Sequence, residues 1–392
     1  TIFYKLIQSI VATAKKKPVK KQKGKMSLAT KLMVVVNLFF IFLLVLSYLS
    51  LYVSPEKYWI LAFAGFVYPV FLLINVFFVL FWLVFLKKYF LLSLVAILLG
   101  FNQVKTYVKF SGAEHKLSYE SSLKVMTYNV RLFDLYNWRS ESSKSTRSAI
   151  FELVKSESAD ILCLQEYYSG AGKHADFADS ISLKAGYKYR NIELINKDNV
   201  GLPYGLAIFS KYPIVNTKKL VFDNSRVNFC QSCDVRIGKD TLRVLNLHLE
   251  SIKFGKEDYN FVSEITTTPS NNDKLKKGSW SILSKMKFAY IKRASQIEKV
   301  AEYIKNSPYP VVFCGDFNDT PVSYSYRQIN NELDDAFVNA GQGLGQTHTN
   351  MIPLLRIDYI FHSKSMKCIE YKTIEKDYSD HFPVFARFTL PE

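Results

Sequence analysis

The sequence predicts an α/β protein in which two β-sheets pack face to face with helices outside, preceded by a membrane-embedded helical segment. Three observations carry this. Eleven short β-rich runs follow Ser118, too many for one ordinary sheet. Only three amphipathic stretches are interleaved with them, and most of the first hundred residues beyond a lysine-rich tail are apolar. At 392 residues the chain exceeds one typical domain. Its changes of composition divide it into a basic tail (1–27), a transmembrane segment (28–104) and a soluble domain (118–392).

The tail comes first. Nine lysines (Lys5, Lys15, Lys16, Lys17, Lys20, Lys21, Lys23, Lys25, Lys31) precede the first acidic residue, Glu56. Removing them from the formal charge of +17 leaves +8, so the basic balance is a topology signal beside an apolar span and weak support for nucleic-acid binding. The first span, Leu32 to Val53, is broken only by Asn37 and a few Ser and Tyr, and Ser54-Pro55-Glu56-Lys57 forms a turn. The second, Tyr58 to Leu86, contains Pro69 and Asn75, which a packed membrane helix tolerates, and ends at Lys87 and Lys88. The third, Phe90 to Val104, has only 15 residues; it crosses a thinned bilayer or lies along the interface, and the crossing is the preferred reading. Three crossings, with lysines before the first and between the second and third, predict a multi-pass protein of a bacterial cytoplasmic membrane. The soluble domain then lies on the periplasmic or extracellular side. The apolar runs are too long for a cleaved signal peptide.

In the soluble domain, strands are expected at Lys124 to Tyr128, Ile161 to Gln165, Tyr187 to Asn191, Gly205 to Ser210, Val215 to Phe222, Asn228 to Ile237, Thr241 to Leu249, Val311 to Cys314, Asp358 to His362, Cys368 to Thr373 and Val384 to Leu390. Helices are expected at Ser145 to Glu157, Phe177 to Ala185 and Lys285 to Lys305, the last with Ile291, Ala294, Ile297, Val300, Ala301 and Ile304 at helical spacing. The stretch from Ser251 to Lys287, rich in lysine and aromatic residues, reads as a polar loop or a lid over anionic substrate. Five cysteines give no disulfide framework; Cys163, Cys314 and Cys368 fall in or beside strand-like runs, and Cys230-x-x-Cys233 has no second ligand pair for zinc.

Four runs end in chemistry-bearing clusters: Val125 to Arg131, Asp160 to Glu166, Val311 to Asp319 and Tyr378 to Val384. Strand ends are where catalytic residues collect in α/β proteins. Hydrolysis of a phosphate ester needs neutralised phosphoryl oxygens, an activated water and a proton for the leaving oxygen. Glu166 is the best single Mg²⁺ ligand in this reading. Asp316 and Asn318, two apart and read as extended chain, point to one side, so that one works on the water while the other binds phosphoryl oxygen. Asp358, charged among apolar neighbours, needs a partner, and His381 is a good one. His248 ends a strand and can donate a proton or bind phosphate.

The ordered set Tyr-Asn, Gln-Glu, Asn-Leu-His, Gly-Asp-Phe-Asn, Ile-Asp-Tyr-Ile and Ser-Asp-His resembles the endonuclease/exonuclease/phosphatase superfamily over roughly Leu123 to Leu390. The resemblance implies a four-layered α/β sandwich. It further implies that Asn129 and Glu166 hold Mg²⁺ (or Mn²⁺) with Asp380 near the same metal, that Asp316 orients or deprotonates water, and that Asn318 binds the scissile phosphate. Asp358 would pair with His381 on the phosphate, and His248 would assist the leaving group or the phosphate. Two positions depart from nuclease members: Arg131 stands where some carry an acid, and Tyr204 where a glutamate supports the histidine. The expectation is a membrane-anchored phosphohydrolase or phosphodiesterase acting on a lipid headgroup or a nucleic acid. The alternatives are a secreted-side endonuclease or exonuclease on DNA or RNA, and a non-catalytic membrane-bound scaffold of the same fold.

Overall fold

The computed structural model describes residues 26–110, 122–136, 143–169, 176–195, 203–252, 258, 272–349 and 355–389. The basic tail up to residue 25 and most of the polar stretch after Ser251 lie outside them.

Five helices come first: α1 (Leu28–Leu49), α2 (Pro55–Phe66), α3 (Tyr68–Val84), α4 (Phe90–Leu99) and α5 (Phe101–Lys105). Only α1, at 22 residues or about 33 Å, is a single helix long and apolar enough to cross a bilayer core of about 30 Å. The expected second span is two helices, α2 and α3, bent by 50° at Val67 and Tyr68. The expected third is the ten-residue α4 followed, across Gly100, by α5. Three straight spans are therefore not what the chain forms. Pro69 sits in the first turn of α3, where its missing N–H costs nothing, and so starts a new helix instead of continuing α2.

These helices bury a polar cluster beside apolar residues and expose an apolar surface. Asn37 donates to Ser93 Oγ (2.6 Å), Ser93 donates to Asn75 Oδ1 (2.9 Å) and Trp82 Nε1 donates to Asn37 Oδ1 (3.0 Å), all buried. Leu32, Val35, Phe39, Phe42, Leu73, Phe77, Leu80, Val95 and Leu98 are exposed. Residues at the two ends of the bundle meet different neighbours. Tyr89 contacts Met26 at one end, whereas Ser50 and Thr106 reach the soluble domain at the other.

Two six-stranded sheets form the soluble domain. One has the order β13 (Lys367–Thr373), β14 (Val384–Thr389), β2 (Ser122–Asn129), β3 (Ile161–Tyr168), β5 (Tyr204–Ser210), β4 (Tyr189–Ile195). The other runs β10 (Asp334–Asp335), β12 (Asp358–His362), β9 (Val311–Asp316), β8 (Asp240–His248), β7 (Phe229–Ile237), β6 (Ile214–Val221). All eleven expected strands form. The two-residue strands β1 (Val108–Lys109) and β11 (Gly343–Leu344) pair with each other and were too short to read from sequence.

Strand alternation sorts side chains into layers. Val125, Ile161, Cys163, Val244, Val312 and Cys314 fill the space between the sheets. Met126, Tyr128, Leu162 and Leu164 face α6 (Ser143–Glu157) and α7 (Asp176–Lys184), while Leu245, Leu247, Val311 and Phe313 face α8 (Asn272–Lys305) and α9 (Tyr324–Glu332). The result is the expected α/β/β/α sandwich. All five cysteines are buried, as strand residues should be.

One expectation fails outright. Asn272 to Lys287 is not loop but the first part of α8. Of its apolar residues, Met286 and Ile282 pack with Tyr290 of the same helix and Ala62 of α2, beside Phe63 and Phe66.

Candidate active site

Each sheet has one parallel pair at its centre, β2 with β3 and β8 with β9. Parallel neighbours end on the same side, so the carboxyl ends of four central strands converge there. Asn129 ends β2 opposite Gln165, and His248 ends β8 opposite Asp316, which also pairs in register with Asp358 at the start of β12. This explains why motifs scattered over the chain meet.

Beneath the site the two sheets are tied by polar groups. Gln165 Nε2 donates to Thr127 Oγ1 (2.8 Å) in its own sheet and to Asn246 Oδ1 (2.7 Å) in the other. Asn246 Nδ2 donates back to the carbonyls of Leu164 (3.0 Å) and Ala207 (3.2 Å). Gln165 and Asn246 sit in the motifs, yet no local pattern assigns them this bridging role.

Above the bridge, Asn129 Nδ2 donates to Asp316 Oδ2 at 3.0 Å. Asp316 Oδ2 lies 3.6 Å from His248 Nε2 and 3.7 Å from His381 Nε2, and His248 Nε2 lies 3.8 Å from Glu166 Oε1. His381 Nδ1 is 2.9 Å from Asp358 Oδ2, the pairing expected from the isolated charge of Asp358. Asp380 completes the cluster, its Oδ1 4.0 Å from His381 Nε2. All eight expected site residues are thus in one cluster, joined by Asn318, whose N–H donates to Asp316 Oδ1 at 2.8 Å.

The reason given for Asn318 needs correction. Strand β9 ends at Asp316, and Asn318 has φ 52°, so it reaches the site through a left-handed turn and not by strand alternation. Glu166 is likewise left-handed (φ 49°), at a bulge between Leu164 and Tyr167 that re-aims its carboxylate.

Electrostatics separates the roles. Burial acts to lower the His381 pKa, but Asp358, Asp316 and Asp380 around it push it up to about 10, so it carries a proton at neutral pH. Burial works to raise Asp316, yet His381, His248 and hydrogen bonds from Asn318 and Asn129 hold it below the ordinary carboxylate range. Glu166 is raised by burial, with His248 opposing.

Two residues with no assigned role also enter the site. Arg131 Nε pairs with Asp380 Oδ2 at 3.1 Å. His348 stacks edge-on against His381, ring centres 4.8 Å apart, and burial together with that neighbouring cation pushes its pKa down to about 4. It sits in a loop with no spacing signal, which is why the sequence did not reveal it. Tyr204, the other departure, lines a small cleft with His248, Val227 and Phe229.

Metal-capable atoms of His348, Asp380 and His381 lie within 4.8 Å of one another, as do those of Asp316, Asp358 and His381. An ion bound by either group would have to displace the proton of His381. The oxygens of Asn129, Glu166 and the neighbouring carboxylates are hard donors of the kind Mg²⁺ takes, so the residues present fit that ion.

Comparisons agree with this geometry. Residues 30–107 match a domain of unknown function (DUF8431), and residues 126–381 match the endonuclease/exonuclease/phosphatase family. No curated protein matches the chain. Among solved structures, the endonuclease/exonuclease/phosphatase of Beutenbergia cavernae DSM 12333 is 19% identical, covering 69% of this chain and 72% of that one at a TM-score of 0.50. The human nocturnin catalytic domain with bound sulfate is 16% identical (68% and 94% covered, TM-score 0.49). A mannosyl-6-phosphatase of Bacteroides thetaiotaomicron VPI-5482 is 19% identical (68% and 100% covered, TM-score 0.46). With the family match spanning well over half of its length, the chain belongs to the endonuclease/exonuclease/phosphatase family and so to the metal-dependent hydrolases of phosphate esters.

Proposed function

We propose that the protein is a membrane-anchored, Mg²⁺-dependent phosphohydrolase or phosphodiesterase whose catalytic domain faces away from the cytoplasm. The observation that carries the chemistry is the buried line Asp358, His381, Asp316, His248, with a proton held on His381 between two carboxylates. Asn129 and Glu166, with Asp380 beside them, would hold the ion. Bound there, it would supply charge neutralisation for the phosphoryl oxygens and lower the pKa of a coordinated water.

The chain's own residues do the rest. Asp316, kept ionised, accepts the proton of the attacking water and orients it, while the His381 cation and the Asn318 amide stabilise charge on the phosphoryl oxygens. Asp358 fixes the His381 ring and its charge. His248, on the side of the Tyr204 cleft, delivers a proton to the leaving oxygen.

Anchoring is supported by the packing of α1, α3 and α4, since an exposed apolar surface over a buried polar cluster suits lipid. Lys87 and Lys88 lie between α3 and α4, next in chain to the Tyr89 that meets Met26, and away from the Ser50 and Thr106 end. Under the positive-inside rule that arrangement favours a domain outside.

The test is hydrolysis by the purified full chain in nanodiscs, over DNA, RNA, phospholipid, phosphosugar and a chromogenic diester. Turnover abolished both by EDTA and by Asp316→Ala is the expected result, and the responding substrate separates lipid from nucleic acid. Folded protein silent across the panel would turn the reading toward a binding scaffold.

A further inference from the structure

We infer that the N-terminal helices are part of the catalytic apparatus, with Ser50 and Gly65 acting as positioning residues for the loop that follows Asp316 and carries Asn318. This rests on the reading of that cluster as the hydrolytic site.

The loop from Phe317 to Ser323 has no regular structure of its own, and it must hold Asn318 in a left-handed conformation. Such a conformation persists only where the surroundings over-determine it. On the sandwich side, Phe317 donates its N–H to the Ile357 carbonyl (2.8 Å), and Asp319 accepts from Ser325 Oγ (3.1 Å) and lies 3.7 Å from Arg293 Nη1. Asn318 donates to Asp316 through its N–H and to the Leu249 carbonyl through Nδ2 (3.2 Å), and Arg293, buried on α8, holds the Asn318 carbonyl.

At its far end the loop is held by the helical segment. Ser50, one residue beyond α1, places its hydroxyl 2.9 Å from the Val322 carbonyl and 2.6 Å from the Ser47 carbonyl, so its one proton is shared between the loop and the end of α1. Gly65 of α2 approaches so closely that a Cβ there would stand 2.2 Å from Val322 O and 2.3 Å from Ser50 Oγ. The Val322 side chain is buried among Leu44, Leu51, Tyr68, Ala96 and Tyr107. A second clamp runs through Arg356, which pairs with Asp335 (2.5 Å) and donates to the Thr106 carbonyl (3.0 Å). The Tyr359 hydroxyl lies 2.8 Å from both the Arg356 and Asp319 carbonyls, so that clamp ends on the residue after Asn318.

A loop gripped from both sides transmits a displacement of Val322 to Asn318 four residues away. Misplacement of a reacting group by about 1 Å costs on the order of 10²-fold in rate.

The experiment compares two glycine-to-alanine changes in the full chain in nanodiscs. Gly65→Ala crowds the Val322 carbonyl and Ser50 directly, whereas Gly100→Ala crowds the Tyr48 ring and reaches Val322 only through the apolar cluster that both share. With a soluble chromogenic diester, Gly65→Ala is expected to lower kcat by about 10- to 100-fold with little change in KM. Amide hydrogen exchange in residues 317–325 should rise in the same variant, and Gly100→Ala should change both much less. Ser50→Ala, which removes the hydroxyl shared by the Ser47 and Val322 carbonyls and introduces no clash, should give a smaller loss in the same direction. Unchanged loop exchange in Gly65→Ala, or equal effects from Gly100→Ala, would overturn the inference. If wild-type protein hydrolyses nothing, the functional reading fails separately, and the exchange data still decide the coupling.

Discussion

A proton trapped between carboxylates is the central feature at the scale of single residues. His381 is useful because Asp358 and Asp316 keep it charged at a point where phosphoryl charge would arrive, and Asp358 in turn is tolerable in the core because His381 neutralises it. Acting as a unit, they should not be additive. His381→Gln and Asp358→Asn are each expected to lower kcat by about 10²- to 10³-fold, with the double variant no worse than the poorer single one, in steady-state kinetics on the chromogenic diester. Outside the site, His362 makes an opposite case. Its ring is buried between Asn339 and the Ser363 carbonyl, and burial lowers its pKa. The unfolded chain therefore takes up the proton first, so stability from the neutral ring is complete above about pH 6.5 and declines as pH falls below it. Urea midpoints measured at pH 7 and pH 5 should draw together in His362→Gln relative to wild type.

Among elements, two devices fix the geometry of the site. The first is the Thr127, Gln165, Asn246 bridge, which sets the two sheets against each other directly below the reacting groups. Asn246→Leu leaves the buried Gln165 amide without its acceptor in the opposite sheet and should cost about 1–3 kcal/mol, read as a lower urea midpoint at constant m-value. The second is the turn after Asn129, where Arg131, Leu132, Phe133 and Asp134 all have positive φ (43° to 57°). Such conformations cost L-residues roughly 1–2 kcal/mol each. Here Phe133 is held against Phe177 (4.4 Å between ring centres) and Tyr167 (5.8 Å), and the turn directs Arg131 onto Asp380. Strand positions were legible because alternation is a local signal; this turn was not, because Arg-Leu-Phe-Asp contains none of the glycine that normally marks left-handed backbone. The same limit applied to α8, whose first turns find their apolar partners on a helix more than two hundred residues earlier.

For the whole molecule, the helical segment and the sandwich share one interface. Ser50, Gly65 and Thr106 lie against Val322 and Arg356, Met286 and Tyr290 cover α2, and β1 pairs with β11. A fragment starting at Ser118 exposes all of these groups. It should melt roughly 5–10 °C below the full chain, equivalent to losing about 2–3 kcal/mol in a domain of this size, by differential scanning calorimetry of both. By itself the sequence determined the apolar segment, the eleven main strands, the sandwich and the motifs whose residues cluster at the candidate site, because hydrophobic period and short motifs are written within a few residues. Only the tertiary structure decided that Arg131 meets Asp380, that His348 joins His381, that Asn318 turns left-handed into the site, and that Ser50 grips Val322. The physical reason is distance along the chain: the last of these contacts joins residues 272 positions apart, and no period or propensity encodes a pairing of that range before the sheets and helices have packed.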